Sequence, residues 1–263
     1  MADETNGAGT AARQARRAQL GGRGGGRARG AVLWDALRTV LARVAPDGPC
    51  DVVDVGGGTG GFAVPLAELG HRVTVVDANP DALAALERRA AEAGVVVRAV
   101  QGDAVDLPAL RGADAADLVL CHNVLEYVED PAAAMAALAA ALRPGGALSV
   151  LAAGRLGAVL HRALGGGFAD AAHALADPAG RFGEQDRVPR RFTRESLGEL
   201  VAGAGLDCAA LHGVRIFTDL VPGALTDGDA EAAAALRELE AVAAVHPVLR
   251  DLAAQLHLVA DRP

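Results

Sequence analysis

Short β-branched apolar runs alternate with longer helical stretches through much of this chain. Val52 to Val55, Val73 to Val76, Val95 to Val100 and Leu118 to Cys121 each read as a buried strand followed by a helical or turn segment. Continuous apolar runs of this kind predict a mostly parallel sheet with helices on both faces, a doubly wound α/β architecture. Before the first strand, Leu33, Leu37, Val40, Leu41 and Val44 recur at helical spacing, and Ala45-Pro46-Asp47-Gly48 ends that helix. Asn79-Pro80 and Asp130-Pro131 each set a capping side chain before a first-turn proline, which marks two further helix starts. Leu142-Arg143-Pro144-Gly145-Gly146 breaks the second of these and leads into the run Ala147 to Ala152. Residues 154–191 are glycine-rich and predict an irregular insertion over one edge of the sheet. Thr193 then opens a helix with Leu197, Leu200 and Val201 on one face; Leu206 to Phe217 is strand-like, Glu231 to Val245 helical, and the run Leu256 to Ala260 closes the chain.

Composition narrows the picture. The 263 residues are 51% hydrophobic and 22% charged, enough for a large core. Six arginines (13, 16, 17, 23, 27 and 29) stand against two acids in the first 29 residues, while the net charge is −8, so a basic arm precedes an acidic body. An acidic body disfavours broad nonspecific nucleic-acid binding, although an arm can still reach phosphates. The Gly/Arg stretch from Gly21 to Arg27 suits either a passive tail or an RNA-touching arm. Seven aromatic residues are too few for a base-stacking platform. The longest apolar run, Ala132 to Leu142, is 11 residues, short of the roughly 18 that a membrane span needs. With no basic-then-apolar leader, a cytoplasmic address is the expectation. Cys50, Cys121 and Cys208 lie far apart without a CxxC pair, so neither a disulfide framework nor a metal site is expected, and all three read as core residues.

Candidate chemistry concentrates at Asp54-Val55-Gly56-Gly57-Gly58-Thr59-Gly60-Gly61, a glycine turn between the first strand and the next helix. Glycines let the backbone bend tightly and approach a ligand closely. The turn satisfies both GxGxxG and GxGxG, so by itself it does not choose between NAD and S-adenosylmethionine. Asp77, ending the second strand, is placed either to hold ribose hydroxyls or to cap the helix at Asn79-Pro80. Gly102-Asp103 follows the third strand, where a carboxylate can accept from an adenine amine. Asp54 either ties down the loop or compensates a cationic ligand.

The run Asp51 to Gly61, Asp77, Gly102-Asp103, the strand Asp117 to His122 and Leu142 to Gly146 together resemble, in order, the motifs of class I S-adenosylmethionine-dependent methyltransferases. That resemblance implies a Rossmann-like, doubly wound, mostly parallel seven-stranded sheet whose last strand is antiparallel, with an insertion after the fifth strand. Four further segments, Arg29 to Trp34, Cys121 to Tyr127, Gly213 to Asp219 and Leu256 to Val259, are similar to the bacterial tRNA 5-carboxymethoxyuridine methyltransferase family, which esterifies the carboxylate of a modified wobble uridine. By that likeness S-adenosyl-L-methionine is the cofactor and tRNA the partner, with a small-molecule metabolite as the alternative acceptor. Arg29 would meet the cofactor's methionine carboxylate, Gly56, Gly57 and Gly58 line its loop, Asp77 hold its ribose, Asp103 and Ala104 flank its adenine, and His122 border the methyl-transfer pocket. The chain departs from the family pattern in carrying scattered arginines (162, 181, 187, 190, 191 and 194) after the fifth strand, and Ala254-Gln255 before His257.

Methyl transfer from a sulfonium is a displacement in which the protein mainly orients the nucleophile, and no metal is required. A carboxylate acceptor is ionised at neutral pH and needs no general base, whereas a hydroxyl usually does. His122 is therefore a pocket wall under one reading, a base under the other, or a satisfied structural residue. Glu126 and Tyr127 are candidate substrate contacts with the same ambiguity. Arg215, inside an apolar run, either forms a structural ion pair or receives an anionic acceptor. The domain plan is a flexible Gly/Arg-rich arm, residues 1–30, and one methyltransferase domain, 31–263, comprising a cofactor-binding core (31–152), the insertion (153–192) and the C-terminal strands and helices (193–263).

Overall fold

The structure, a computed structural model, describes residues 27–226 and 228–263. Residues 1–26, which include most of the Gly/Arg-rich arm, lie outside the described residues. Seven strands form one sheet in the order β3-β2-β1-β4-β5-β7-β6. They are β1 (Asp51–Val55), β2 (Arg72–Asp77), β3 (Val97–Gln101), β4 (Ala116–His122), β5 (Leu142–Ala153), β6 (Asp207–Val214) and β7 (Gln255–Asp261). Only β7 runs against its neighbours. The order reverses between β1 and β4, which leaves a crevice at their carboxyl ends where such sheets take ligands.

Nine helices among the described residues connect the strands: α1 (Arg27–Val44), α2 (Ala63–Glu68), α3 (Pro80–Ala93), α4 (Leu107–Arg111), α5 (Pro131–Ala141), α6 (Arg155–Leu164), α7 (Phe168–Ala176), α8 (Arg194–Gly203) and α9 (Ala230–Val245). Local chemistry sets their ends. Asn79 accepts from the Asp81 N–H and Asp130 from the Ala132 and Ala133 N–H groups, each just before proline, and Thr193 forms a capping box with Ser196. None of the helices is long and apolar enough to cross a membrane.

Strand alternation divides the core. Val53 and Val55 face α5 and α8 together with Met135, Leu138 and Leu197. Val52, Leu118 and Leu120 face Leu33, Leu37 and Leu66 of α1 and α2 on the other side. Each such leucine, fully buried, contributes roughly 1.5–3 kcal/mol. The same alternation puts Asp54 and His122 on the α1 face of the sheet, each buried at a strand's carboxyl end. At the opposite ends, Arg143 bonds Asp117 at 2.6 Å and Asp51 at 3.0 Å, and Arg72 bonds Asp51 at 2.8 Å, joining the amino termini of β1, β2 and β4 to the start of β5.

Three expectations change. Residues 154–191 hold two helices, α6 and α7, rather than irregular chain alone. A Cβ on Gly157 would sit 2.1 Å from the Ala253 carbonyl oxygen, so this glycine serves close packing of α6. The strand expected to reach Phe217 stops at Val214, because Arg215 turns to φ +63°. Cys208 is exposed on the edge strand β6, next to a register shift, whereas Cys50 and Cys121 are buried.

Candidate active site

The glycine loop joins β1 to α2. Gly56, Gly58 and Gly60 take φ of +68°, +54° and +81°, backbone that side chains rarely adopt. A Cβ on Gly56 would meet Val124 Cγ2 at 2.2 Å, and one on Gly57 would meet Asp54 Oδ2 at 2.6 Å. The loop thus lies against the segment after β4 and against a buried carboxylate. It is held to β2 by the Gly56 N–H donating to the Val76 carbonyl at 2.7 Å and the Gly58 N–H donating to Asp77 Oδ2 at 2.8 Å.

Asp77 also accepts from the Asn79 N–H at 2.8 Å, but the cap of α3 is Asn79 itself. Asp77 therefore braces the glycine loop and keeps acceptor capacity on both oxygens. Asp103 accepts from the Ala104 N–H and caps the short turn Ala104–Asp106; Ala104 is buried beside it. Asp54 makes no hydrogen bond to the loop: its Oδ2 is buried without a partner. Burial, and secondarily the charge on Asp77, push its carboxyl up to about 7. Of the two roles that the sequence left open, loop-tying is not made among the described residues. Arg29 belongs to the first turn of α1, and its side chain lies outside the described residues.

His122 ends β4 with its ring edge-on to Phe62, centroids 4.9 Å apart. Its Nε2 lies 2.9 Å from Ser149 Oγ, while Nδ1 is buried without a hydrogen-bond partner. Burial pulls its pKa down to about 3, so the ring is neutral at pH 7. Glu126 is buried too; one oxygen accepts from the Ala153 N–H at 2.6 Å, the other has no partner, and burial raises its pKa. Tyr127 beside it is exposed.

Arg215 forms the ion pair that was one of its two expected roles. Its Nε donates to Asp219 Oδ1 at 3.0 Å, and it also lines a cavity of about 630 Å3 with His161, Arg162, Phe182, Thr218 and Ala254. The turn that carries it is gripped by Glu240 of α9, which accepts from the Ile216, Phe217 and Thr218 N–H groups at 3.0, 2.9 and 2.6 Å. Phe182 lies under two guanidinium groups, those of Arg191 at 4.2 Å and Arg162 at 5.4 Å. The cavity meets the carboxyl edge of the sheet through Ala254, since the Gly154 N–H donates to its carbonyl and the next side chain, Gln255, bonds Asn123.

Sequence reasoning missed Ser149, Phe62 and Glu240; His212, on the edge strand, stacks its ring on His257 with centroids 5.3 Å apart. No cluster of three or more His, Cys, Asp or Glu side chains suited to a metal occurs among the described residues.

The observed donor set fits an adenosyl group bearing a cationic sulfur. Glycines at positive φ admit close approach, carboxylates end β1 and β2 with a third just after β3, and the Asp54 oxygen is buried with nothing to balance it. Residues 53–150 match the methyltransferase domain family. A tRNA 5-carboxymethoxyuridine methyltransferase of Escherichia coli O157:H7 is 33% identical over 196 residues, 74% of this chain and 73% of that protein. A ubiquinone biosynthesis O-methyltransferase of Xanthomonas axonopodis pv. citri is 38% identical over 112 residues, 43% of this chain and 46% of that protein. Among solved structures, an S-adenosylmethionine-dependent methyltransferase from Mesorhizobium loti aligns with TM-score 0.57 at 22% identity, covering 89% of this chain and all of that one. Magnesium protoporphyrin IX methyltransferase from Synechocystis, with bound S-adenosylhomocysteine, aligns with TM-score 0.57 at 17% identity over 94% of this chain and 93% of that one. The Rossmann-like, seven-stranded fold is borne out, S-adenosylmethionine is the methyl donor, and the chain belongs to the S-adenosylmethionine-dependent methyltransferases, in the family that holds the bacterial tRNA 5-carboxymethoxyuridine methyltransferase.

Proposed function

We propose that this enzyme methylates a carboxylate on a modified wobble uridine of tRNA, and that it does so in the cytoplasm. The observation that carries the reading is His122. At the carboxyl end of β4, with Nε2 engaged by Ser149 and its basicity depressed by burial, it is a poor base for a hydroxyl. Such a site suits an acceptor that arrives as an anion. The cavity that Ala254 joins to the carboxyl edge of the sheet offers two guanidinium groups for that anion, Arg215 and Arg162, each paired with an aspartate, and a planar wall, Phe182.

When bound, S-adenosylmethionine supplies an electrophilic methyl group on a good leaving group. The chain's own residues do the rest by placement. Gly56, Gly57 and Gly58 would line the donor, Asp77 hold its ribose, Asp103 and Ala104 bracket its adenine, Arg29 meet its methionine carboxylate, and Asp54 balance its positive charge. Arg215 would seat the acceptor carboxylate, Glu126 and Tyr127 border it, and His122 align it with the methyl carbon. Methyl-labelled cofactor incubated with tRNA bearing 5-carboxymethoxyuridine should leave base-labile label on the RNA. Absence of label on verified substrate would refute the acceptor assignment.

One observation favours a second reading, a small-molecule metabolite as acceptor. Glu126 keeps a buried oxygen without a partner and a raised pKa, as a base for a hydroxyl would. Label entering a small-molecule extract but no RNA would select it.

A further inference from the structure

A chain of polar side chains crosses the α1 face of the sheet through an otherwise apolar layer. His122 Nε2 lies 2.9 Å from Ser149 Oγ, Ser149 Oγ lies 2.8 Å from His257 Nε2, and His257 Nδ1 lies 3.3 Å from His212 Nδ1. Strand register builds it. Leu120 pairs with Ser149, Leu151 with His257 and His257 with His212, so all four side chains stand on one face of β4, β5, β7 and β6. Ser149 and His257 are fully buried and His122 nearly so, a costly place for polar groups unless their hydrogen bonds are made.

Counting hydrogens leaves two arrangements. Burial keeps all three rings neutral, and the rings at 122 and 212 further disfavour a charge on His257. Three neutral imidazoles and one hydroxyl then carry four hydrogens, of which three fill the three contacts. The fourth sits at one end, on His122 Nδ1 or on His212 Nε2. Two features favour the first. His122 Nδ1 is buried without a partner in the chain, and an anionic acceptor, which can only accept, would select an N–H there. At the other end stands Arg250, whose charge opposes protonation of His212 and whose buried Nε has no hydrogen-bond partner. A guanidinium there favours a lone pair over a further N–H on His212.

Resting on the carboxylate reading above, we propose that Ser149, His257 and His212 act as positioning residues that fix His122 as the neutral Nδ1–H tautomer, a hydrogen-bond donor that aligns an anionic acceptor without setting a second positive charge beside the sulfonium. In this direction His212 Nδ1 donates to His257 Nδ1, His257 Nε2 donates to Ser149, and Ser149 donates to His122 Nε2.

Long-range nitrogen-15 correlation spectra of histidine-labelled protein, saturated with S-adenosylhomocysteine, test the tautomers without any acceptor; His122→Asn assigns the ring. The expected spectrum shows His122 protonated at Nδ1, His257 at Nε2 and His212 at Nδ1. A His122 ring protonated at Nε2, or an imidazolium at pH 7, would overturn the proposal. Ser149→Ala should leave His122 a mixture of tautomers and, with the melting temperature and cofactor affinity retained, lower kcat toward the RNA carboxylate by roughly tenfold or more. Ser149→Thr, which keeps the hydroxyl, should restore both readouts, and failure to restore them would count against the chain. If Ser149→Ala does not fold, His257→Gln breaks the same chain one contact further on and should give the same two changes. A wild-type enzyme with the expected tautomers but no label on any RNA would instead sink the acceptor assignment alone.

Discussion

Asp54→Asn removes the charge that the fold handles least well. Burial and the neighbouring Asp77 raise the Asp54 carboxyl to about 7, from an ordinary value of 3.8. Each tenfold change in proton affinity is about 1.4 kcal/mol, so keeping this carboxylate ionised in the folded, cofactor-free protein costs about 4 kcal/mol. The sign follows from proton binding. Between pH 4 and 7 the folded state holds a proton that the unfolded state has released, so stability falls as pH rises through that window and the full cost stands above it. The near-isosteric amide has no charge to bury. Urea unfolding of the cofactor-free proteins should therefore find Asp54→Asn more stable than wild type at pH 8, by up to about 4 kcal/mol, with the gap closing toward pH 4. Cofactor affinity should move the other way, because a cationic ligand loses its counter-charge; in wild type, binding near pH 6 should release protons. A stability gap independent of pH, or an unchanged affinity for S-adenosylmethionine, would refute the assignment of Asp54 as a buried charge held for a cation.

The glycine loop makes a contrasting pair. Gly56→Ala meets both a φ of +68° and Val124 Cγ2 at 2.2 Å, so it should abolish cofactor binding in calorimetry and lower the melting temperature, while Gly61→Ala, with open space and ordinary backbone, should do neither. Arg215→Met should raise KM for the RNA acceptor and leave affinity for S-adenosylhomocysteine unchanged, as separate titrations would show. Glu240→Ala strips the acceptor from three backbone N–H groups and should cost about 1–3 kcal/mol in urea unfolding, with the same selective rise in acceptor KM.

The doubly wound core was legible because its signals are local. Valine runs mark strands, Asn79-Pro80 and Asp130-Pro131 mark helix starts, and the glycine turn marks the crevice between them. What stayed hidden depends on contacts between distant residues. Gly157 shows no role of its own until Ala253, almost a hundred residues on, is seen packed against it. Ser149 and His212 are unremarkable in their own strands and gain meaning only when β7 inserts between β5 and β6 and brings His257 between them. Arg215 illustrates an intermediate case. Its apolar setting signalled a charge in need of a partner, but the bend that both pairs it with Asp219 and turns it toward the cavity is imposed by Glu240 from α9.

We propose that the bend after β1, with the carboxylates at the ends of β1 and β2 and after β3, cradles the methyl donor. Isothermal titration of S-adenosylhomocysteine into wild type and Asp77→Ala tests it directly, with circular dichroism confirming that both are folded. Saturable one-to-one binding by wild type is expected, with a loss of roughly tenfold or more in the variant. Equal affinities, or a folded wild type that takes up NAD and none of this compound, would contradict it.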